Sequence, residues 1–156
     1  MAGGEAAAVD RVRPVLAPLG GTVMHVGATG AGHAAKALNN YVSAAGLVAV
    51  SEALHLGARQ GVAPETLVAV LNASTGRNNT TERKALPFMI PGNYAAGFSL
   101  ALMRKDLGTA AGMAPRLLGP RAALWHSAEA ALPPGADHTA VHGWLASFFD
   151  AGDAPG

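Results

Sequence analysis

Residues 27–40 read GATGAGHAAKALNN, and the reading of this stretch decides the fold of the whole chain. It follows a short apolar run, Thr22-Val23-Met24-His25-Val26, and opens a long segment of helix-favouring residues. Gly27, Gly30 and Gly32 let the backbone turn tightly and approach another group closely, because no Cβ intervenes. The free N–H groups and positive dipole end of a helix starting there favour an anion. Lys36 and Asn40 stand four residues apart, so an ammonium and an amide point the same way from one helix face. That pairing suits a carboxylate-bearing substrate and a proton donor. Asn39 falls about 100° round the helix from Asn40, a position for packing beside such a site.

The same residues allow a rival reading. Gly30-Ala31-Gly32-His33-Ala34-Ala35 has the form of a dinucleotide fingerprint, with Glu52 about twenty residues further on. A βαβ unit needs a second strand soon after its helix. Here the helical pattern runs past Glu52 to about Gly61, and no strand pattern follows, so the fingerprint reading fails on context.

Working outward, the helix from Ala31 to about Gly61 is long for a globular protein. Ala34, Ala35, Ala44, Ala45, Gly46 and Ala49 put small residues on several of its faces, which predicts a central, buried helix approached closely by its neighbours. Upstream, Glu5 to Ala17 reads as a helix closed by Pro18 and Gly20-Gly21, and Thr22 to Val26 as a short strand or extended link. Downstream, Pro64 starts a helix through Ala73. Arg77 to Thr81 reads as a polar turn, and Pro87 and Pro91 argue against regular structure over Lys84 to Ile90. Ser99 to Met113 carries Leu100, Met103 and Leu107 on one face. Pro115 interrupts, a further helix runs from Leu117 or Pro120 to Ala131, and Asp137 caps a last one bearing Val141, Trp144, Leu145, Phe148 and Phe149. The fold class is therefore all-α, a helical bundle around one long helix. The organisation expected is residues 1–26 as a leading helix and link, 27–150 as the helical domain, and 151–156 as a frayed tail.

Composition bounds the function. Half of the residues are hydrophobic and 13% are charged, so the chain can bury a core and is not disordered. A net charge of +1 argues against nucleic acid or an anionic membrane as partner, since both need clustered basic surface. The absence of cysteine excludes disulfides and thiolate metal sites. Tyr41 to Val50, the most apolar run, is shorter than the ~20 residues of a membrane span. With no secretory leader pattern either, the expected location is cytoplasmic. So apolar a helical chain is expected to cover its surplus surface with a partner. His138 and His142, four apart, have metal-ligand spacing, but no third ligand is near and packing is the expected role. No metal site is expected.

The 27–40 stretch matches the G-x-x-G-x-G-x-x-x-K-x-x-N-N signature of the β-hydroxyacid dehydrogenases, the 3-hydroxyisobutyrate dehydrogenase family. GFSLALMRKDLGTA at residues 97–110 resembles that family's G-F-…-L-M-x-K-D-L-x-x-A segment, and Asp137-His138-Thr139-Ala140-Val141 its D-x-S/T-A-V run. The resemblance implies a fold similar to the C-terminal domain of 3-hydroxyisobutyrate and 6-phosphogluconate dehydrogenases. It implies a reaction interconverting a small 3-hydroxy acid and its semialdehyde or keto form, with NAD or NADP as cofactor. Lys36 is then the catalytic acid/base, Asn40 and Gly32 bind substrate, and Lys105 and Phe98 flank the nicotinamide end of the cofactor, with Asp106 orienting its neighbours. The family's Rossmann domain, which would bind most of the cofactor, has no counterpart in this sequence. Residues 1–26 resemble the end of that domain, so the chain is expected to be the C-terminal half of such an enzyme, a homo-oligomer (dimer or tetramer) through its helices and inactive alone. The alternative is a non-enzymatic helical dimerisation module.

Overall fold

The computed structural model describes residues 1–150, and the expectation for 151–156 lies outside them. The first helix, α1, runs Ala6–Leu16 and tightens into a 3-10 turn over Ala17–Leu19. Thr22 to Val26 is extended but pairs only with the chain's own start: Ala2 N donates to Met24 O at 2.7 Å and Val26 N to Ala2 O at 2.9 Å. A single isolated bridge between Ala2 and His25 results, so this stretch is a link and not a strand.

The long helix α2 spans Ala31–Arg59 without interruption, 29 residues, and starts from Gly30 in the left-handed region at φ 94°. It is central, since α2 touches most of the helices that follow it. It is not buried on all sides, and here the expectation is corrected. Its covered stripe is Ala37, Asn40, Ala44, Leu47, Val50, Ser51 and Leu54, while Leu38, Val42 and Leu56 face outward. Small residues permit close approach from any side, but this chain supplies neighbours for one side only. With a mean hydropathy of 1.3 over 18 residues, α2 is also long and apolar enough to cross a membrane by length and composition, which the shorter run Tyr41 to Val50 concealed. Its stripe is spent on other helices, as in the core helix of a bundle.

Helix α3 covers Pro64–Ala73, with Pro64 in the first turn as expected. The polar stretch after it is not a plain turn. Asn78 Oδ1 accepts from Thr80 N at 2.8 Å and Thr81 N at 3.3 Å, while Asn78 N donates to Thr81 Oγ1 at 3.0 Å. This reciprocal cap starts the short helix α4, Asn79–Arg83. Regular structure continues into one π-helical turn over Ala85–Met89, where Phe88 N and Met89 N both return to Lys84 O and Pro87 has no donor to place. Helix α5 spans Leu100–Met113 behind a Ser99 cap. Pro115 opens the next helix, α6, Pro115–Ala131, instead of interrupting the chain, because a first-turn proline has no bond to lose. A 3-10 turn over His138–Ala140, capped by Asp137, leads into α7, Val141–Asp150.

The main core gathers Ala44 and Leu47 of α2, Leu100, Met103 and Leu107 of α5, Trp125 and Ala128 of α6, and Val141 and Leu145 of α7. A second cluster places Val50 and Leu54 against Val68, Ala85 and Met89. Both use the α2 stripe, which is why α2 fixes where the other helices, and the side chains they carry, come to lie.

Candidate active site on the long helix

Lys36 and Asn40 leave α2 on one face and meet the same atom. Asn40 Nδ2 donates to Asp106 Oδ2 at 2.5 Å, and Lys36 Nζ lies 3.5 Å from that oxygen. The other oxygen of Asp106 pairs with Lys105 Nζ at 3.2 Å. Asn40 is 8% exposed and the Asp106 side chain 16%, so amide and carboxylate form the floor. The Lys36 side chain is 51% exposed and stands at the rim, less buried than the sequence led one to expect. Burial works against the charge on Asp106, but the Lys105 ammonium, the Asn40 amide and the Lys36 ammonium outweigh it and hold the carboxyl below its ordinary range.

Phe98 forms a side wall, its ring centre 6.0 Å from Lys36 Nζ. The backbone that presents it is tied to the start of α7. Leu100 N donates to Ala136 O and His138 N to Phe98 O, both at 2.9 Å. Asp137 completes the tie by accepting from Gly97 N at 2.8 Å, Phe98 N at 3.0 Å, Thr139 N at 2.9 Å and Thr139 Oγ1 at 2.5 Å. Burial penalises that carboxylate too, yet its donors prevail and its pKa is lowered. His138 lies edge-on to Phe98, ring centres 5.7 Å apart, and its Nδ1 donates to Phe98 O at 2.9 Å. A carbonyl can only accept, so Nδ1 carries the proton.

The structure thus brings together Lys36, Asn40 and Lys105 around Asp106, with Phe98 beside Lys36. Gly32 stands one turn before Lys36 on α2 and packs against the start of the chain. A Cβ at Gly32 would meet Gly3 N and Met1 O, each at 3.2 Å, and one at Gly3 would meet Gly32 N at 2.8 Å. The close approach that these two glycines permit is made by the chain's own first residues, while Ala28, Thr29 and Gly30 at the helix start are exposed. His138 and His142 are packing residues. His142 stacks on His55 with ring centres 4.4 Å apart, and no group of three metal-binding side chains occurs among the described residues.

One charged residue near the site was missed. Lys84, at the end of α4, donates to Ser43 Oγ at 3.2 Å, one turn along α2 from Asn40. The two prolines that follow it hid its place in regular structure.

Known proteins resemble this chain in sequence and in fold. A family profile described as "NAD-binding of NADP-dependent 3-hydroxyisobutyrate dehydrogenase" matches residues 30–145. The 2-(hydroxymethyl)glutarate dehydrogenase of Eubacterium barkeri is 39% identical over 110 residues, covering 70% of this chain and 36% of that protein. The mitochondrial 3-hydroxyisobutyrate dehydrogenase of Drosophila melanogaster is 40% identical over 120 residues, 73% of this chain and 37% of its own length. Among solved structures, Mycobacterium tuberculosis 3-hydroxyisobutyrate dehydrogenase with L-serine superposes with a TM-score of 0.80 at 33% identity, covering 92% of this chain and 53% of that one. The chain therefore spans well under half the length of these curated relatives and about half of that solved chain.

Proposed function

This chain belongs to the 3-hydroxyisobutyrate dehydrogenase family, and from that premise we propose that it is the substrate-binding, catalytic-lysine half of an NAD(P)-dependent β-hydroxyacid dehydrogenase. The observation that carries the proposal is the convergence of Lys36 and Asn40 from one face of α2 on Asp106, beside Phe98. The reaction interconverts a small 3-hydroxy acid and its semialdehyde or keto form.

In oxidation Lys36 accepts the proton of the substrate hydroxyl; in reduction it returns a proton to the developing alkoxide. Asp106 faces the ammonium that forms, and Asn40 fixes Asp106 so that the charge does not wander. The residues present fit the nicotinamide end of a dinucleotide. Phe98 offers an aromatic face and Lys105 a solvent-facing ammonium. When bound, the nicotinamide supplies or takes up the hydride at the substrate carbon. A dinucleotide-binding domain would then cover the rim where Lys36 stands exposed, and water would be excluded on its closing. The apolar groove lined by Val42, Ala45, Val48, Leu124 and Trp125 is where we place a second subunit of a cytoplasmic homo-oligomer.

The test is turnover. This chain alone, given NAD+ or NADP+ and small 3-hydroxy acids, is expected to show none. Joined to the dinucleotide-binding half of a relative it is expected to turn over, and Lys36→Ala to lower kcat by about 10²–10⁴ with cofactor affinity little changed. Wild-type kcat in that variant would remove Lys36 from the mechanism.

A further inference from the structure

We propose that Lys84 is a second cationic subsite of this cleft and takes the far carboxylate of a hydroxy acid carrying two acid groups, an assignment that rests on the reading of Lys36 and Asn40 above. Lys84 is half-buried, yet its ammonium has one hydrogen-bond partner, the neutral Ser43 hydroxyl, and no ion pair among the described residues. An ammonium has three donors. Two of them, and a full charge, meet no other protein group among the described residues. Burial accordingly lowers its pKa, against the pull of Asp137.

Its position gives the entering group a definite shape. Positions 36, 40 and 43 follow one another at spacings of four and three, one face of α2. Lys36 Nζ is drawn to the same Asp106 oxygen as Asn40 Nδ2, so it hangs near the level of Asn40. Ser43, which holds Lys84, lies three residues further, about 4.5 Å along the axis. The wall beside them is also shared. Phe98 faces Lys36 Nζ and abuts His138, and His138, whose pKa is lowered first by burial, is lowered further by the charge of Lys84. The Lys36 ammonium, at the substrate hydroxyl, and the Lys84 ammonium, held at Ser43 one turn beyond Asn40 on the same helix face, thus lie beside one aromatic pair, so a second acid group carried along that face meets Lys84. A singly charged carboxylate suits the second position better than a dianion, because the carboxylates of Asp106 and Asp137 stand close to the two cations.

The chain has three lysines, Lys36, Lys84 and Lys105, so reductive ¹³C-methylation yields three lysine signals that single Lys→Arg variants assign. 3-Hydroxyglutarate and 3-hydroxypropionate are titrated at constant ionic strength. 3-Hydroxyglutarate is expected to shift the Lys36 and Lys84 signals together with one apparent Kd, and 3-hydroxypropionate to shift Lys36 alone. Lys84→Met, with Lys84→Gln as the second variant should Met disturb folding, is expected to weaken 3-hydroxyglutarate binding at least tenfold and 3-hydroxypropionate binding less than twofold. A 3-hydroxyglutarate response at Lys36 with Lys84 unmoved, or unchanged 3-hydroxyglutarate affinity in both variants, overturns the subsite and leaves the Lys36 reading standing. No response at Lys36 to either hydroxy acid overturns that reading and the subsite with it.

Discussion

Asp137→Ala should cost about 3 kcal/mol of folding stability, more than any exposed carboxylate could. The side chain accepts four hydrogen bonds, from Gly97 N, Phe98 N, Thr139 N and Thr139 Oγ1. Bonds to a charged acceptor contribute about 1.5–3 kcal/mol each in net terms, and a buried donor left unpaired costs about 1–3 kcal/mol. Gly97 is exposed and water replaces its partner, so that bond counts for little. Thr139 is 0% exposed, so its two donors have nowhere to turn, and Phe98 N is half-covered. Against this, removing the carboxylate returns its own desolvation penalty. The balance is about 3 kcal/mol, or a fall of about 1.5 M in the urea midpoint at an m-value of about 2 kcal/mol/M. Asp137→Asn, which keeps an acceptor oxygen but loses the charge, should cost about half as much. The sign with pH follows from the lowered pKa. The contribution is complete above the unfolded carboxylate value of about 3.9 and is lost as pH falls through the folded one, so wild type and variant should converge in strong acid. A midpoint for Asp137→Ala within 0.3 M of wild type at neutral pH would refute the claim that this carboxylate ties Phe98 to α7.

Other perturbations have equally definite directions. His142 is held at about 4, by burial first and then by the neighbouring His55, so between pH 6.5 and 4 the unfolded chain takes up a proton that the folded chain refuses. Stability should fall as pH drops through that window, and His142→Phe should flatten the fall by about 1–2 kcal/mol after discounting for partial exposure, read as Tm against pH. Gly3→Ala would drive a Cβ to 2.7 Å from Ala28 O and 2.8 Å from Gly32 N, so residues 1–4 should lift off α2, seen as faster amide exchange of Ala2 and Val26. Exchange unchanged in that variant would mean the two backbones do not pack.

Much of this was legible because local rules and tertiary packing agree along α2. The spacing of Lys36 and Asn40 puts them on one face whatever surrounds them, and Asp106 was expected to orient neighbours. The misses share one cause, that a motif states what a backbone permits and not what comes to fill it. A glycine at position 32 permits close approach by any group, and in the structure the chain's own first residues make one such approach. Alanines and glycines on several faces of α2 permit neighbours all round, and this chain supplies them on one side. Asn78-Asn79-Thr80-Thr81 was readable as a cap, but its polarity suggested a turn, and Pro87 then masked the π-helical turn that carries on from Lys84.

The most direct measurement is chemical rescue of Lys36→Ala in the chain joined to a dinucleotide-binding half. If the Lys36 amine moves the proton, methylamine or ethylamine should restore kcat in proportion to amine concentration and to its unprotonated fraction, with glycerol inert. A variant that stays inactive at every amine concentration while still binding substrate and cofactor, or one that never lost activity, would contradict it.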